Sequence, residues 1–525
     1  MSNRHIGFGA IVDRQKALGS KVAFSDPMRQ VSFSEFEERV TRLVDGLHKL
    51  GIRPGDRVAV LSKNSVNAAE CIAACRAGFI IVPLNWRLSP PELVTLLSDC
   101  SPEVLICDMQ WSEVADCEIL PHLQAMKLVV FGPAQSGWQA YEDVVSSGNE
   151  GAYHRDASDR ATALLIYTSG TTGAPKAAMI THAGLLGNGL AAGSEALGVT
   201  AEDKILCVLP MFHVGGLCYY LIPSYMAGAT CVLRPTFQVD DLVNSLETFT
   251  ITNVHLVPTM IADLVGHPRA REAAAQLRRI VYAGSTMPVA LLERAMNVLE
   301  SCEFSQSYGS TEGGIITTLS PEDHRAAATS PSRAHLLQSC GRPLSGTQLR
   351  MVDDSGEDCA PGETGEVLVL SERSMVGYWN QPEKSAGLRV GMFMRTGDIG
   401  YRDADGYVYL VDRKGDMIVT GGENVFPSEV EQVLYRCPDV AEASVFGVPD
   451  ARWIEKVVAA VILKPGSTAT PGSISQFVRE HLAPYKCPKE VHIVRDLPRT
   501  GVGKVSRRSL REMYATSKRS DGARA

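Results

Sequence analysis

This sequence predicts an α/β fold class. The expected architecture is a large N-terminal domain of doubly wound α/β sheets over residues 1–412, containing a β-rich subdomain at about 345–412, followed by a small α+β C-terminal domain over 413–525. Three observations predict it. Over the first three-quarters of the chain, short β-branched runs alternate with longer helical patterns, as βαβ units on largely parallel sheets require. From about Ser345 the pattern gives way to short strands and tight turns such as Asp353-Asp354-Ser355-Gly356 and Asp403-Ala404-Asp405-Gly406. After Arg413 a compact mixture of helical and strand patterns follows, and 525 residues exceed what one hydrophobic core supports.

In chain order, Arg57-Val58-Ala59-Val60-Leu61 reads as a strand, and the stretch from Ala68 to Ala77 carries a helical pattern. Further strands are expected at Ala163 to Tyr167, Ile205 to Leu209, Val254 to Val257 and Ile280 to Ala283. Each ends in a cluster of Gly, Ser, Thr or Pro, and open α/β sheets bind ligands outside the carboxyl ends of their strands. From Ile205 to Leu233 no Asp, Glu, Lys or Arg occurs, but Pro210, Pro223, His213 and Gly215-Gly216 interrupt the run. It reads as two buried strands or short helices rather than a membrane span, which needs about 20 continuous apolar residues. In the C-terminal unit, helices are expected near Ser428 to Tyr435 and Ser473 to His481, strands near Val457 to Leu463 and Glu490 to Val494, and a frayed tail from Ser517.

Composition narrows the function. Hydrophobic residues at 45% and charged residues at 21% exclude a disordered or fibrous chain, and a net charge of -8 argues against a general nucleic-acid surface. The 13 cysteines are scattered without a C-x-x-C pair, as small core hydrophobes in a reducing compartment would be. No signal-peptide pattern opens the chain, so the expected location is the cytoplasm. A homodimer is one oligomeric arrangement left open.

The most informative stretch is Tyr167-Thr168-Ser169-Gly170-Thr171-Thr172-Gly173-Ala174-Pro175-Lys176. It is read as following a strand and preceding a helix capped by Thr181. Its glycines let a backbone approach an anion closely, and its hydroxyls and lysine supply donors and charge. A Ser/Thr/Gly turn alone would equally suit a plain surface loop, and the spacing is not that of a Walker A motif, because Ala177 follows Lys176.

This string resembles the signature loop of the adenylate-forming superfamily of acyl-CoA synthetases, adenylation domains and luciferases. Four more motifs follow in that family's order: Tyr308-Gly309-Ser310-Thr311-Glu312, Arg395-Thr396-Gly397-Asp398, Arg413-Lys414-Gly415-Asp416 with Gly421-Gly422-Glu423-Asn424, and Pro498-Arg499-Thr500-Gly501-Val502-Gly503-Lys504. The resemblance implies ATP as substrate, Mg²⁺ as cofactor and coenzyme A as acceptor. It assigns Tyr308 to adenine, Thr171 and Glu312 to the metal, and Thr168, Ser169, Gly170, Thr172, Gly173 and Lys176 to the phosphates. Asp398 and Arg413 fall to the ribose, Gly284, Ser285, Ser307, Gly309, Ser310 and Thr311 to the nucleotide and acyl site, and Lys504 to the α-phosphate and carboxylate. Gly421, Gly422 and Glu423 would face the pantetheine thiol once the C-terminal domain, mobile in this family, has turned about a hinge near Gly415.

These assignments suit the chemistry. A carboxylate repels nucleophiles and has no leaving group until it is joined to AMP, a step that crowds several anions together and needs positioning and charge compensation. Pro210-Met211-Phe212-His213-Val214-Gly215-Gly216 resembles the family's acyl-site segment, with His213 gating the passage between carboxylate and thiol, although a histidine in an apolar run also suits a core position. Val257, Met260 and Ile315 are further expected lining groups. No carboxylate and no basic side chain other than His213 stands in this segment, so the expected substrate is a hydrophobic monocarboxylic acid, fatty or aryl. The expected function is an ATP-dependent acid:CoA ligase, the alternative being a stand-alone adenylation enzyme that loads a carrier protein.

Overall fold

The computed structural model describes residues 8–150, 157–168, 175–420, 423–450, 453–500 and 504–522. A seven-stranded sheet runs in the order 139–140, 127–131, 104–108, 57–61, 80–84, β1 (Thr162–Thr168) and β2 (Lys176–Thr181). All its pairings are parallel except the last, where β1 and β2 lie antiparallel. Its central strands bury both faces, which is why the sequence shows them as continuous apolar runs.

The second sheet has nine strands. In chain order its site-bearing members are β3 (Asn253–Leu256), β4 (Arg279–Ala283), β5 (Glu303–Ser310) and β6 (Gly314–Leu319). They neighbour one another in that order, with Arg342–Pro343 at the β6 edge and 204–207, 230–233, 22–25 and 30–32 beyond β3. Strands β3, β4 and β5 are parallel and end together, whereas β5 and β6 form an antiparallel hairpin. Between 204–207 and 230–233 the uncharged run folds into short helices that include a π-helical turn at Leu217–Leu221. Among the described residues no helix is long and apolar enough to cross a membrane.

The third sheet is five-stranded and contains β7 (Phe393–Arg402) and β8 (Val408–Arg413) as antiparallel neighbours. The fourth, also five-stranded, is built from residues 418–420, 423–425, 440–450, 454–463 and 490–493 and has its own apolar cluster around Val430, Leu434, Val445, Val457 and Ile474. The α/β class is therefore correct. All 13 cysteines are free, and ten others join Cys71 and Cys75 in being fully or partly enclosed.

Two readings of the sequence need correction. The phosphate-loop string does not run into a helix: it joins two antiparallel strands, and only after the six residues of β2 does Thr181 cap the helix His182–Ala191, its Oγ1 accepting from the Gly184 amide at 3.0 Å. Pairing with β1 overrides the helix preference of Ala177, Ala178 and Met179 because both alanines are fully buried there. The chain past Ser517 is not a frayed tail either, since the last helix spans Arg507–Gly522.

Candidate active site

The carboxyl ends of β3, β4 and β5 converge with the ends of β1 and β8 and the middle of β7. Each functional side chain owes its place to a local device. In the β5–β6 hairpin the turn at Thr311-Glu312-Gly313 is tightened by the Gly313 amide donating to Ser310 Oγ at 2.8 Å. Gly314 closes it with φ +71, a conformation that favours glycine. A Cβ on Gly309 would meet the Gly314 carbonyl at 2.3 Å, so only glycine permits the crossing that carries Glu312 inward.

Glu312 then receives hydrogen bonds at Oε1 from Tyr378 Oη at 2.8 Å and from Thr168 Oγ1 at 3.4 Å. The same Tyr378 ring lies under Lys176, whose Nζ stands 5.3 Å from its centroid. Glu312, Thr168 and Lys176 are thus brought together across three elements by one tyrosine. The sequence reading missed Tyr378, which stands 66 residues from Glu312 and shows no local motif of its own.

Asp398 and Arg413 meet because they are register partners on the antiparallel strands β7 and β8. Arg413 Nε stands 3.2 Å from Asp398 Oδ1, and Tyr308 Oη donates to Asp398 Oδ2 at 2.6 Å. Asp398 is 5% exposed, and burial pushes its carboxyl upward against the opposing pull of Arg413 and Tyr308. Arg413 is pushed above its ordinary value, chiefly by Asp398.

Lys504 completes the cluster. Its backbone is held by the Thr500 amide donating to the Lys504 carbonyl at 2.7 Å and by an antiparallel bridge between Arg499 and Val505. A Cβ at Gly284 would lie 3.5 Å from Lys504 Cε and 3.4 Å from Val257 Cγ1, so the lysine stem passes close against the backbone after β4, where φ +92 favours glycine. Burial and the nearby Arg413 lower the Lys504 ammonium to about 8, while Asp398 and Glu312 hold it up. Gly284 and Ser285 are exposed at this strand end.

His213 caps a short helical turn, its Nδ1 accepting from the Gly215 amide at 3.1 Å, which leaves the ring proton on Nε2. Burial and the neighbouring Lys504 lower it to about 3, so it is a neutral imidazole at physiological pH. Ser307 is buried, with its hydroxyl 2.5 Å from Tyr219 Oη. Thr311 is buried within the hairpin turn, and Glu423 lies exposed on the separate hairpin 418–425. Ser169, Gly170, Thr171, Thr172, Gly173, Gly421 and Gly422 fall outside the described residues.

Among the described residues no group of three or more His, Cys, Asp or Glu gathers as a metal cage. Magnesium does not need one: it keeps several waters and takes one or two carboxylates together with substrate phosphates. Glu312 suits that pattern, because its described hydrogen bonds all fall on Oε1 and leave Oε2 for a hard cation.

The glycine at the hairpin crossing gives a direct test of this geometry. Gly309→Ala is expected to displace the turn bearing Glu312 and to lower turnover at least 10-fold, with a loss of stability of about 1–3 kcal/mol from overpacking. Steady-state rates and thermal melts on the same preparation check both.

Residues 12–379 match the AMP-binding enzyme family, and residues 429–504 match the AMP-binding enzyme C-terminal domain. An indoleacetate--CoA ligase of Aromatoleum aromaticum is 36% identical over 508 residues, covering 96% of this chain and 97% of the relative. A fatty acid--[acyl-carrier-protein] ligase, ScoC, of Streptomyces coeruleorubidus is 34% identical over 492 residues, covering 93% and 92%. The crystal structure of ATP-bound MatB from Rhodopseudomonas palustris superposes with a TM-score of 0.87 at 28% identity, covering 96% of this chain and 98% of that one.

Proposed function

The chain belongs to the AMP-binding enzyme family, and from that premise we propose that Lys504, Glu312, Asp398 and Arg413 serve one ATP-dependent acid:CoA ligase reaction on a hydrophobic monocarboxylic acid. The enzyme joins the acid to AMP with release of pyrophosphate and then transfers the acyl group to coenzyme A with release of AMP. The observation that carries the assignment of roles is the half-buried Lys504, whose stem lies against Gly284 and whose ammonium is within electrostatic reach of Asp398, Arg413, Glu312 and His213.

In the first half-reaction a carboxylate oxygen forms a bond to the α-phosphorus as the bond to pyrophosphate breaks, and no net proton moves. Lys504 offsets the charge that the acid and the α-phosphate bring together, a task suited to a flexible point charge. Asp398 accepts from the ribose hydroxyls while Tyr308 and Arg413 hold its two oxygens in place. Glu312 and Lys176, oriented by Tyr378, attend to the phosphates. Glu312 and Thr171 would hold Mg²⁺, which when bound supplies charge compensation for the polyphosphate.

In the second half-reaction the thiol sulfur bonds to the acyl carbon, the acyl–phosphate oxygen bond breaks, and the thiol proton goes to solvent. His213, neutral and hydrogen-bonded at Nδ1, walls the passage without adding a charge that would bind the acid's carboxylate too firmly. Gly421, Gly422 and Glu423 are the groups proposed to face the pantetheine arm.

Acid-dependent release of pyrophosphate, followed by AMP release that requires coenzyme A, tests the function with a panel of fatty, aryl and dicarboxylic acids. Sustained AMP release without any requirement for coenzyme A would overturn it. The 34% identical fatty acid–carrier-protein ligase favours a second reading, transfer to a protein-bound phosphopantetheine, and a phosphopantetheinylated carrier assayed beside free coenzyme A separates the two.

The two half-reactions are expected to have opposite pH slopes. Lys504 acts as an ammonium, so adenylation should be fully active below pH 8 and should decline as pH rises through about 8. Thioester formation from a supplied acyl-adenylate needs a thiolate, and with a thiol near about 8.5 it should accelerate over the same range. Rates of the isolated half-reactions from pH 6.5 to 9.5 check this.

A further inference from the structure

The turn that carries Glu312 is gripped from outside by groups that stand in none of the five motifs. The Met375 amide donates to the Glu312 carbonyl at 2.8 Å, and Ser374 Oγ donates to the Gly313 carbonyl at 3.1 Å. The Ile315 amide donates to Asn188 Oδ1 at 2.8 Å, and Arg373 Nε donates to the Ile315 carbonyl at 3.3 Å. Asn188 Nδ2 in turn donates to the Arg373 carbonyl at 3.0 Å. A Cβ on Gly314 would lie 2.7 Å from Asn188 Oδ1 and 2.8 Å from the Arg373 carbonyl, so the hairpin tip rests directly on both residues.

Arg373 reaches further than this hairpin. Its stem lies along the helix His182–Ala191, where a Cβ on Gly187 would come within 3.2 Å of Arg373 Cγ. Nη1 donates to the Ser345 carbonyl at 2.8 Å, and Nη2 donates to Thr347 Oγ1. Those residues lead into Gln348–Val352, a strand of the third sheet, which also contains β7 with Asp398. One guanidinium therefore ties the Glu312 hairpin of the second sheet to the sheet that bears Asp398.

The chemistry of this tie is unusual for a purely structural contact. Arg373 is 9% exposed, and among the described residues its side-chain hydrogen bonds go to two carbonyls and a hydroxyl, none to a carboxylate. Burying a cation without a carboxylate partner is costly, and apolar side chains of similar volume often replace buried charges without loss of stability. What an apolar side chain cannot supply is a rigid planar fork of donors that meets two separate elements at once.

We propose that Arg373 is a positioning residue for Glu312: it fixes the hairpin against the third sheet, so that the carboxylate serving metal and phosphates and the carboxylate serving the ribose keep one spacing. The proposal rests on the roles given to Glu312 and Asp398 and goes beyond them, because Arg373 is bonded to neither carboxylate. Groups that orient a metal-binding side chain from behind typically matter by about 10–100-fold in metal affinity or activity.

The test replaces the fork and keeps the stem, as Arg373→Met. Binding of Mn²⁺ in the presence of a nonhydrolysable ATP analogue, followed by electron paramagnetic resonance, should weaken by roughly 10-fold or more. The Mg²⁺ concentration giving half-maximal acid-dependent pyrophosphate release should rise by a similar factor. Thioester formation from a supplied acyl-adenylate, which needs neither metal nor polyphosphate, should stay close to wild type. Arg373→Lys should rescue little, since one ammonium cannot meet both the Ile315 carbonyl and the 345–347 segment. Thr347→Val, which removes one acceptor of the fork and is nearly isosteric, should weaken Mn²⁺ binding by roughly two- to fivefold, and it decides the matter if Arg373→Met does not fold. Unchanged Mn²⁺ binding, or equal loss in both half-reactions, would overturn the proposal. Glu312→Gln, measured alongside, tells the two layers apart. If Glu312→Gln weakens Mn²⁺ binding and the Arg373 and Thr347 variants do not, Arg373 alone loses its role; if Glu312→Gln has no effect either, the assignment of Glu312 fails and takes Arg373 with it.

Discussion

Lys504→Ala is expected to lower acid-dependent pyrophosphate release by roughly 10²–10³-fold, the loss found when one preorganised donor to a developing charge is removed. Thioester formation from a supplied acyl-adenylate should stay within a few-fold of wild type. The difference follows from timing. Only while acid and α-phosphate are being joined do two anions share the space at Gly284 into which the Lys504 side chain reaches. Once the adenylate exists, its carboxylate charge is gone and the ammonium has no comparable work. Lys504→Arg should rescue little, because a planar guanidinium cannot occupy a slot that fits a methylene stem and a compact head. Rapid-quench measurement of each half-reaction checks the split, and equal loss in both would remove Lys504 from the role assigned to it.

Asp398→Ala should raise KM for ATP by roughly 100-fold, as expected when a buried carboxylate that accepts hydrogen bonds from a ligand is lost. Its effect on folding should be much smaller. Arg413 is more than half exposed, so water replaces the missing carboxylate on that side. Tyr308 is buried and loses its acceptor, which costs about 1 kcal/mol. Thermal melts with and without ATP separate these contributions. The variant should unfold within a few degrees of wild type when free, while losing most of the stabilisation that nucleotide gives. A large drop in the free protein would mean that Asp398 serves mainly to hold β7 against β8.

Much of this arrangement was legible in the chain. Strands such as 57–61, 80–84 and 104–108 are enclosed on both faces and therefore appear as unbroken apolar runs. The motifs around Tyr308, Asp398 and Lys504 were visible because each is a short string whose backbone turns demand glycine at fixed places, as at Gly309, Gly314 and Gly397. What stayed hidden depends on distant pairing. Lys176–Thr181 carries helix-forming residues and becomes a strand only because β1 supplies its hydrogen bonds. Tyr378 lies in a stretch without any motif, and its significance arises from a neighbour 66 positions away, Glu312. The helix at the end of the chain was missed because the sequence from Ser517 on is short of apolar residues and reads as a solvated tail.

The strand that bears Arg413 ends on that residue, and the connection onward to the fourth sheet begins with Lys414, whose amide donates to the Gly397 carbonyl next to Asp398. The connection between the two parts of the protein is therefore fastened at its root beside the carboxylate proposed to accept from the ribose. Under that proposal, whatever occupies or vacates Asp398 would be felt first at this joint, and nucleotide turnover and any turning of the C-terminal part would share a single mechanical origin.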